Sequence, residues 1–159
     1  YTAVVQGDCK AQTLVSYMVR DRGDGRRGSI PVTESGVPEG AVRAVTHVRP
    51  TARIEAASGT YSVVECKLET GRTHQIRIHL SEAGHPICGE PIYNRTLSGK
   101  IISDRSDAPR QALHAGSLRF VHPFSGESVT TKAELSRDLA QWLETLKDHR
   151  RTIDSRLEK

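Results

Sequence analysis

The stretch Thr70–Tyr93, TGRTHQIRIHLSEAGHPICGEPIY, limits the fold more than any other. It sets two arginines and three histidines where a core helix would carry mostly aliphatic side chains. The order of residue types predicts a strand end, a tight basic turn, a short helix and a structured loop. Gly71 is free to take positive φ and turn the chain sharply. Thr73 is the expected N-cap, its hydroxyl accepting a bond from an unpaired amide of the first helical turn. The helix is expected from about His74 to Ala83, with Ile76 and Leu80 at i,i+4 and Ile78 supplying its apolar contacts. Gly84 suits its C-terminal stop, and Pro86 cannot continue it.

This arrangement sets Arg72 just before a helix N-terminus and Arg77 within the first turn. The free amides and dipole of that end already favour an anion. Two guanidiniums there either point into water or answer a carboxylate or phosphate, and the planar arginine fork suits both anions. His74 and His79 stand at i,i+5 and so do not share a face as an i,i+4 zinc pair would. His85 and Cys88 do not restore a metal-ligand spacing, so no metal is expected.

At 159 residues the chain is long enough for one domain with a real core, although aromatics make up only 4% of it. No apolar run approaches the length that spans a bilayer, so no membrane partner is expected. Lys and Arg exceed Asp and Glu by 23 to 19, mostly as arginine, which favours a nucleic-acid partner. Cys9, Cys66 and Cys88 are odd in number and unpaired in spacing. They read as free thiols in a reducing compartment, and a cytoplasmic monomer is the expectation.

Residues 1–6 are β-branched and end at Gly7-Asp8, which predicts a strand and a turn. Residues 12–20 fit a second strand or a short irregular segment. Residues 21–40, rich in Gly, Pro and charge, predict an exposed loop insertion in which Arg26-Arg27 are solvated, with phosphate contact as the alternative. Residues 41–54 read as strand material broken at Pro50. In 61–70, Val63, Glu65, Lys67 and Glu69 alternate with Val64, Cys66 and Leu68, a wet face against a buried one. Residues 94–110 are loop-like. Two strands around a turn at 122–126 follow, with Leu118, Phe120 and Val121 expected to face inward and Val129 and Ala133 on the return. Leu135, Leu139, Trp142, Leu143 and Leu146 have helical spacing, with Trp142 as a core anchor, and the charged tail after Lys147 is expected to fray.

YTAVV, LETGRTHQIRIHL, GHPICGEPIY and QALHAGSLRFVHP, in that order over nearly the whole chain, resemble the RluA-type family of RNA pseudouridine synthases. The resemblance implies an α+β fold with a central, mainly antiparallel mixed sheet flanked by helices, residues 1–159 forming the C-terminal part of a single catalytic domain. It implies isomerisation of uridine to pseudouridine in ribosomal or transfer RNA, without cofactor or metal. In that family an aspartate attacks the nucleoside, and the detached uracil rejoins the sugar through carbon 5. The target must leave its stack to reach the pocket. The resemblance assigns Arg77 as the partner of the catalytic aspartate and Tyr1 as the tyrosine against the target base. Arg72 and His74 fall to RNA backbone binding or pocket organisation. Leu113 and His114 lie near the pocket in either a packing or a functional role.

Two departures stand out. The family's nucleophile sits in an HRLDxxTSG-like segment before the Tyr-x-Ala strand, and none of Asp8, Asp21, Asp24, Asp104, Asp107 or Asp138 has that setting. The nucleophile is therefore expected upstream of Tyr1, and residues 1–159 alone are expected to be inactive. Glu90 also stands where the family usually has aspartate, with the same charge on a longer arm. The alternative expectation is a noncatalytic RNA-binding module that keeps the fold.

Overall fold

A computed structural model describes residues 1–32, 36–37 and 39–157. Strands β1 (Thr2–Gln6), β2 (Gln12–Val19), β3 (Gly28–Pro31), β4 (Val42–Ala56), β5 (Gly59–Leu68) and β6 (Leu113–His114) form one six-stranded sheet in the order β3-β2-β4-β5-β1-β6. Every pairing in it is antiparallel, so the mixed sheet implied by the resemblance is realised without a parallel pair. β4 bends at the register shift between Pro50 and Ala52, where proline cannot donate to the ladder. Helix α1 (Gln75–Glu82) packs against β3 and β4, and helix α2 (Arg137–Leu157) lies along β4. Strands β7 (Ser117–Val121) and β8 (Ser128–Lys132) pair only with each other.

The alternation in β5 appears as expected: Val64 and Cys66 are buried while Glu65 and Lys67 are exposed. The core joins Val4, Val5, Val64, Leu80 and Ile87 to Leu139 and Leu146 of α2. Trp142 packs against that core and donates its indole N–H to the Ser106 carbonyl at 2.8 Å, so both parts of the side chain are satisfied.

Three expectations need correction. The 21–40 segment is not loop throughout. It supplies β3, whose Ser29 is buried and donates from its amide to Glu82 Oε1 at 3.0 Å. Residues 33–35 and 38 of that stretch lie outside the described residues. Leu118, Phe120 and Val121 are 60%, 42% and 66% exposed, because the β7–β8 hairpin stands off the six-stranded sheet. Periodicity told which residues share a face but not whether anything covers it. The backbone of α2 continues to Leu157 rather than ending at Lys147. Extending a docked helix adds a hydrogen bond per residue with no new nucleation cost.

Candidate active site

The turn into α1 is built around one buried amide. Gln75 Oε1 accepts from the Thr70 hydroxyl at 2.8 Å and the Arg72 amide at 3.0 Å. Its Nε2 donates to the Val45 carbonyl at 2.9 Å and to the Thr46 hydroxyl at 3.0 Å. The Thr70 hydroxyl in turn accepts from the Val45 amide at 3.0 Å. These bonds tie the Thr70–Arg72 turn to β4, a positioning role the sequence reading missed. A glutamine facing its own strand end was the signal.

The expected cap is also corrected. The N-cap is His74, not Thr73, and it makes no side-chain cap bond. The left-handed conformation falls on His74, at φ 60°, and not on Gly71. Such a conformation costs a non-glycine residue of order 1 kcal/mol and persists where surroundings over-determine it. Here the surroundings are visible: His74 Nδ1 lies 2.8 Å from the Tyr93 hydroxyl, and the two rings meet edge to face at 5.6 Å. Burial, then the nearby Arg77 and Arg27 cations, lower the His74 pKa, which favours the neutral imidazole in this hydrogen bond at pH 7.

Arg77 stands partly buried in the first turn of α1, while its neighbours Ile76, Ile78, His79 and Leu80 are buried. Its Nε and Nη2 donate to the two Glu90 oxygens at 2.8 and 2.6 Å, and its guanidinium carbon lies 5.0 Å from the centroid of the Tyr93 ring. Arg77 and Glu90 side chains are 14% and 1% exposed, so this is a desolvated pair. Glu90 also accepts from the Ile92 and Tyr93 amides, at 2.9 and 3.2 Å, and from the Gln111 side chain. Burial by itself would raise the Glu90 pKa, but the Arg77 bonds and the two backbone amides outweigh it and hold the carboxylate ionised. With five donors upon it, Glu90 is a frame for Arg77 and not a nucleophile. Tyr93, Glu90 and Gln111 complete the centre, and all three stood unassigned or half-assigned inside motifs already quoted. Among the described residues no hydrogen bond engages Arg77 Nη1, so one edge of a rigidly held cation stays available.

Among the described residues the other expected site residues bond to neighbours other than Arg77. Tyr1 is 45% exposed and exchanges backbone bonds with Cys66, at 2.9 and 2.8 Å. Leu113 packs on the core, and His114 Nε2 lies 3.0 Å from the Ala133 carbonyl, tying β6 to the end of β8. β6 pairs with β1 through Thr2 and Ala3, and Gln111 just before it reaches Glu90. Arg72 is exposed and donates from Nε to the Arg43 carbonyl at 3.3 Å. Burial pushes the Cys66 and Cys88 thiols up to about 12, which removes them as nucleophiles at neutral pH. Among the described residues no group of three or more His, Cys, Asp or Glu is placed to hold a metal ion.

This antiparallel α+β architecture is that of pseudouridine synthase domains. A solved structure titled human RNA pseudouridylate synthase domain containing 1 superposes with a TM-score of 0.64 at 27% identity, covering 91% of this chain and 63% of that one. The RNA pseudouridylate synthase family model matches residues 1–82. A ribosomal large subunit pseudouridine synthase D of Zymomonas mobilis is 39% identical over 140 residues, covering 87% of this chain and 42% of its own length. A tRNA pseudouridine synthase C of Vibrio vulnificus is 30% identical over 151 residues, 91% of this chain and 60% of that protein. The chain belongs to the RNA pseudouridylate synthase family, in its RluA-type branch. It spans less than two thirds of the length of these relatives.

Proposed function

We propose that the protein isomerises uridine to pseudouridine in structured ribosomal or transfer RNA. The observation that supports this best is the Arg77 centre: a desolvated guanidinium held on two sides, with Nη1 unengaged. An arginine held this way keeps an approaching carboxylate ionised and fixes its direction of attack. The family chemistry requires an aspartate there. Among the described residues the only carboxylate bonded to Arg77 is Glu90, which is fully engaged. In this reading Glu90 is the frame for Arg77 and the nucleophile is the family's aspartate. Tyr93 supplies an aromatic face beside the guanidinium, and neutral His74 holds the Tyr93 hydroxyl. The names of the similar proteins support either RNA class as substrate. A cytoplasmic monomer belongs to this reading, the compartment resting on cysteines that stand unpaired.

The test is single-turnover conversion of uridine in ribosomal and transfer RNA transcripts by the complete native protein and its Arg77 variants. Arg77→Lys keeps the charge but loses the fork, and is expected to slow the chemical step on the order of a hundredfold while RNA affinity changes only a few-fold. Removing Arg77 alone would leave Glu90 buried and unpaired, at about 3–5 kcal/mol. The double variant Arg77→Met/Glu90→Gln removes both charges and is expected to fold yet form no product. Near-normal rates in either variant would defeat the assignment. RNA binding without product from the wild-type protein would favour the noncatalytic module instead.

A further inference from the structure

Beside the Arg77 centre the surface opens into a groove of about 340 Å³ between the end of β2 and the 71–73 turn. Met18 and Ile78, both buried, contribute to its lining, together with Arg20, Arg27 and Arg72. Among the described residues none that lines it is acidic. Several arginines elsewhere face carboxylates: Arg22 with Asp24, Arg49 with Glu65, Arg110 with Asp138. Among the described residues Arg20, Arg27 and Arg72 form no ion pair, and the Arg72 side chain bonds only to a backbone carbonyl. Three unneutralised cations around one groove repel one another and gain most from an anion with several charges in a row.

The positions are held. Arg20 directly follows β2, and Arg27 directly precedes β3, whose ladder to β2 runs from Ser16↔Pro31 to Val19↔Gly28. Glu82 of α1 fastens that hairpin through both the amide and the hydroxyl of Ser29. Arg27 is close enough to His74 and Tyr93 to act on the protonation of both, which sets the groove next to the site. Arg27 is exposed, as expected for a solvated loop, but its backbone leads straight into the paired strand β3.

We propose that this groove binds the phosphodiester backbone of the RNA strand leading to the Arg77 site, with Arg20, Arg27 and Arg72 engaging successive phosphates. The proposal rests on the RNA-modifying reading above. Guanidinium groups neutralising phosphates release counterions, so each contact contributes to the salt dependence of binding and not to sequence choice.

The experiment measures RNA affinity of the complete native protein across ionic strengths, for wild type, Arg20→Gln/Arg27→Gln and the charge-matched control Lys10→Gln/Arg53→Gln. The groove variant is expected to lower the slope of log K against log salt by about two, one per lost phosphate contact, equally for RNAs of different sequence. The control should leave it unchanged. Circular dichroism melts confirm folding, and Arg27→Glu should weaken binding more than Arg27→Gln. Equal slopes for wild type and groove variant overturn the proposal while RNA modification stands. Equal losses in groove and control variants overturn it as well, in favour of a diffuse field. Competition by polyglutamate as effective as by RNA points to an acidic protein partner and also overturns it. Failure of the wild type to bind RNA at low salt removes the RNA reading itself.

Discussion

His79 shows how a single residue couples this site to pH. Its Nδ1 and Nε2 each lie 2.8 Å from a hydroxyl, those of Thr46 and Ser16, and the ring is 3% exposed. Burial lowers its pKa from 6.5 to about 4, so the folded protein holds the neutral ring while the unfolded chain protonates near 6.5. Between these values the unfolded state binds more protons, and stability is lost as pH falls from 6.5 through 4. The loss between pH 7 and 5 is expected to be about 2 kcal/mol, read from urea midpoints. His79→Gln should be less stable at pH 7 but nearly flat over the same interval. A wild-type profile as flat as the variant's would refute the assignment. The direction is informative because the Glu90 carboxylate, held down by burial-resisting donors, loses its contribution only at more acid pH.

At the scale of elements, α1 owes its placement to polar contacts on several sides. Gln75, His79 and Ser81 are all buried and all bonded, to β4, to β2 and β4, and to the Arg95 carbonyl. Satisfied in this way they cost little, and left unsatisfied each would cost about 1–3 kcal/mol. The loop after α1 is equally constrained. Gly89 has φ 73°, and a Cβ there would run into the Arg110 carbonyl and stand 2.9 Å from the Gln111 amide. Gly89→Ala is therefore expected to destabilise by at least about 2 kcal/mol, since a strained φ alone costs about 1–3. It should also displace Gln111 from Glu90 and slow uridine conversion. An unchanged urea midpoint would mean that the two segments can separate freely.

Across the whole molecule, burial and not hydrophobicity decides which apolar residues matter. Leu139 is 2% exposed in the core, whereas Leu118 is 60% exposed on the free hairpin. Leu139→Ala is expected to cost about 2–5 kcal/mol, and Leu118→Thr to change stability by no more than about 0.5 kcal/mol. Chemical denaturation of the two variants side by side checks this, and equal losses would show the hairpin to be packed in solution. The charge balance also divides by place. Among the described residues Arg22, Arg49, Arg53, Arg77 and Arg110 pair with carboxylates, while the groove beside β2 and β3 gathers three arginines that form no ion pair.

The strands β1, β4 and β5, the Gly84 stop, the docking face of α2 and the position of Arg77 were determined by the sequence alone. Each follows from a local period or a turn residue, and local rules act within a few positions of the chain. Family membership was legible too, because TGRTHQIR, GHPI and LHA stand in order. Only tertiary structure decided that His74 rather than Gly71 takes the left-handed turn, since Tyr93 holds it from nineteen positions away. It alone decided that the partner of Arg77 within this chain is Glu90, framed by Gln111, and that 28–31 is a strand, because β2 and Glu82 lie beside it. Those facts depend on which distant groups meet in a desolvated place, and no spacing along the chain encodes that.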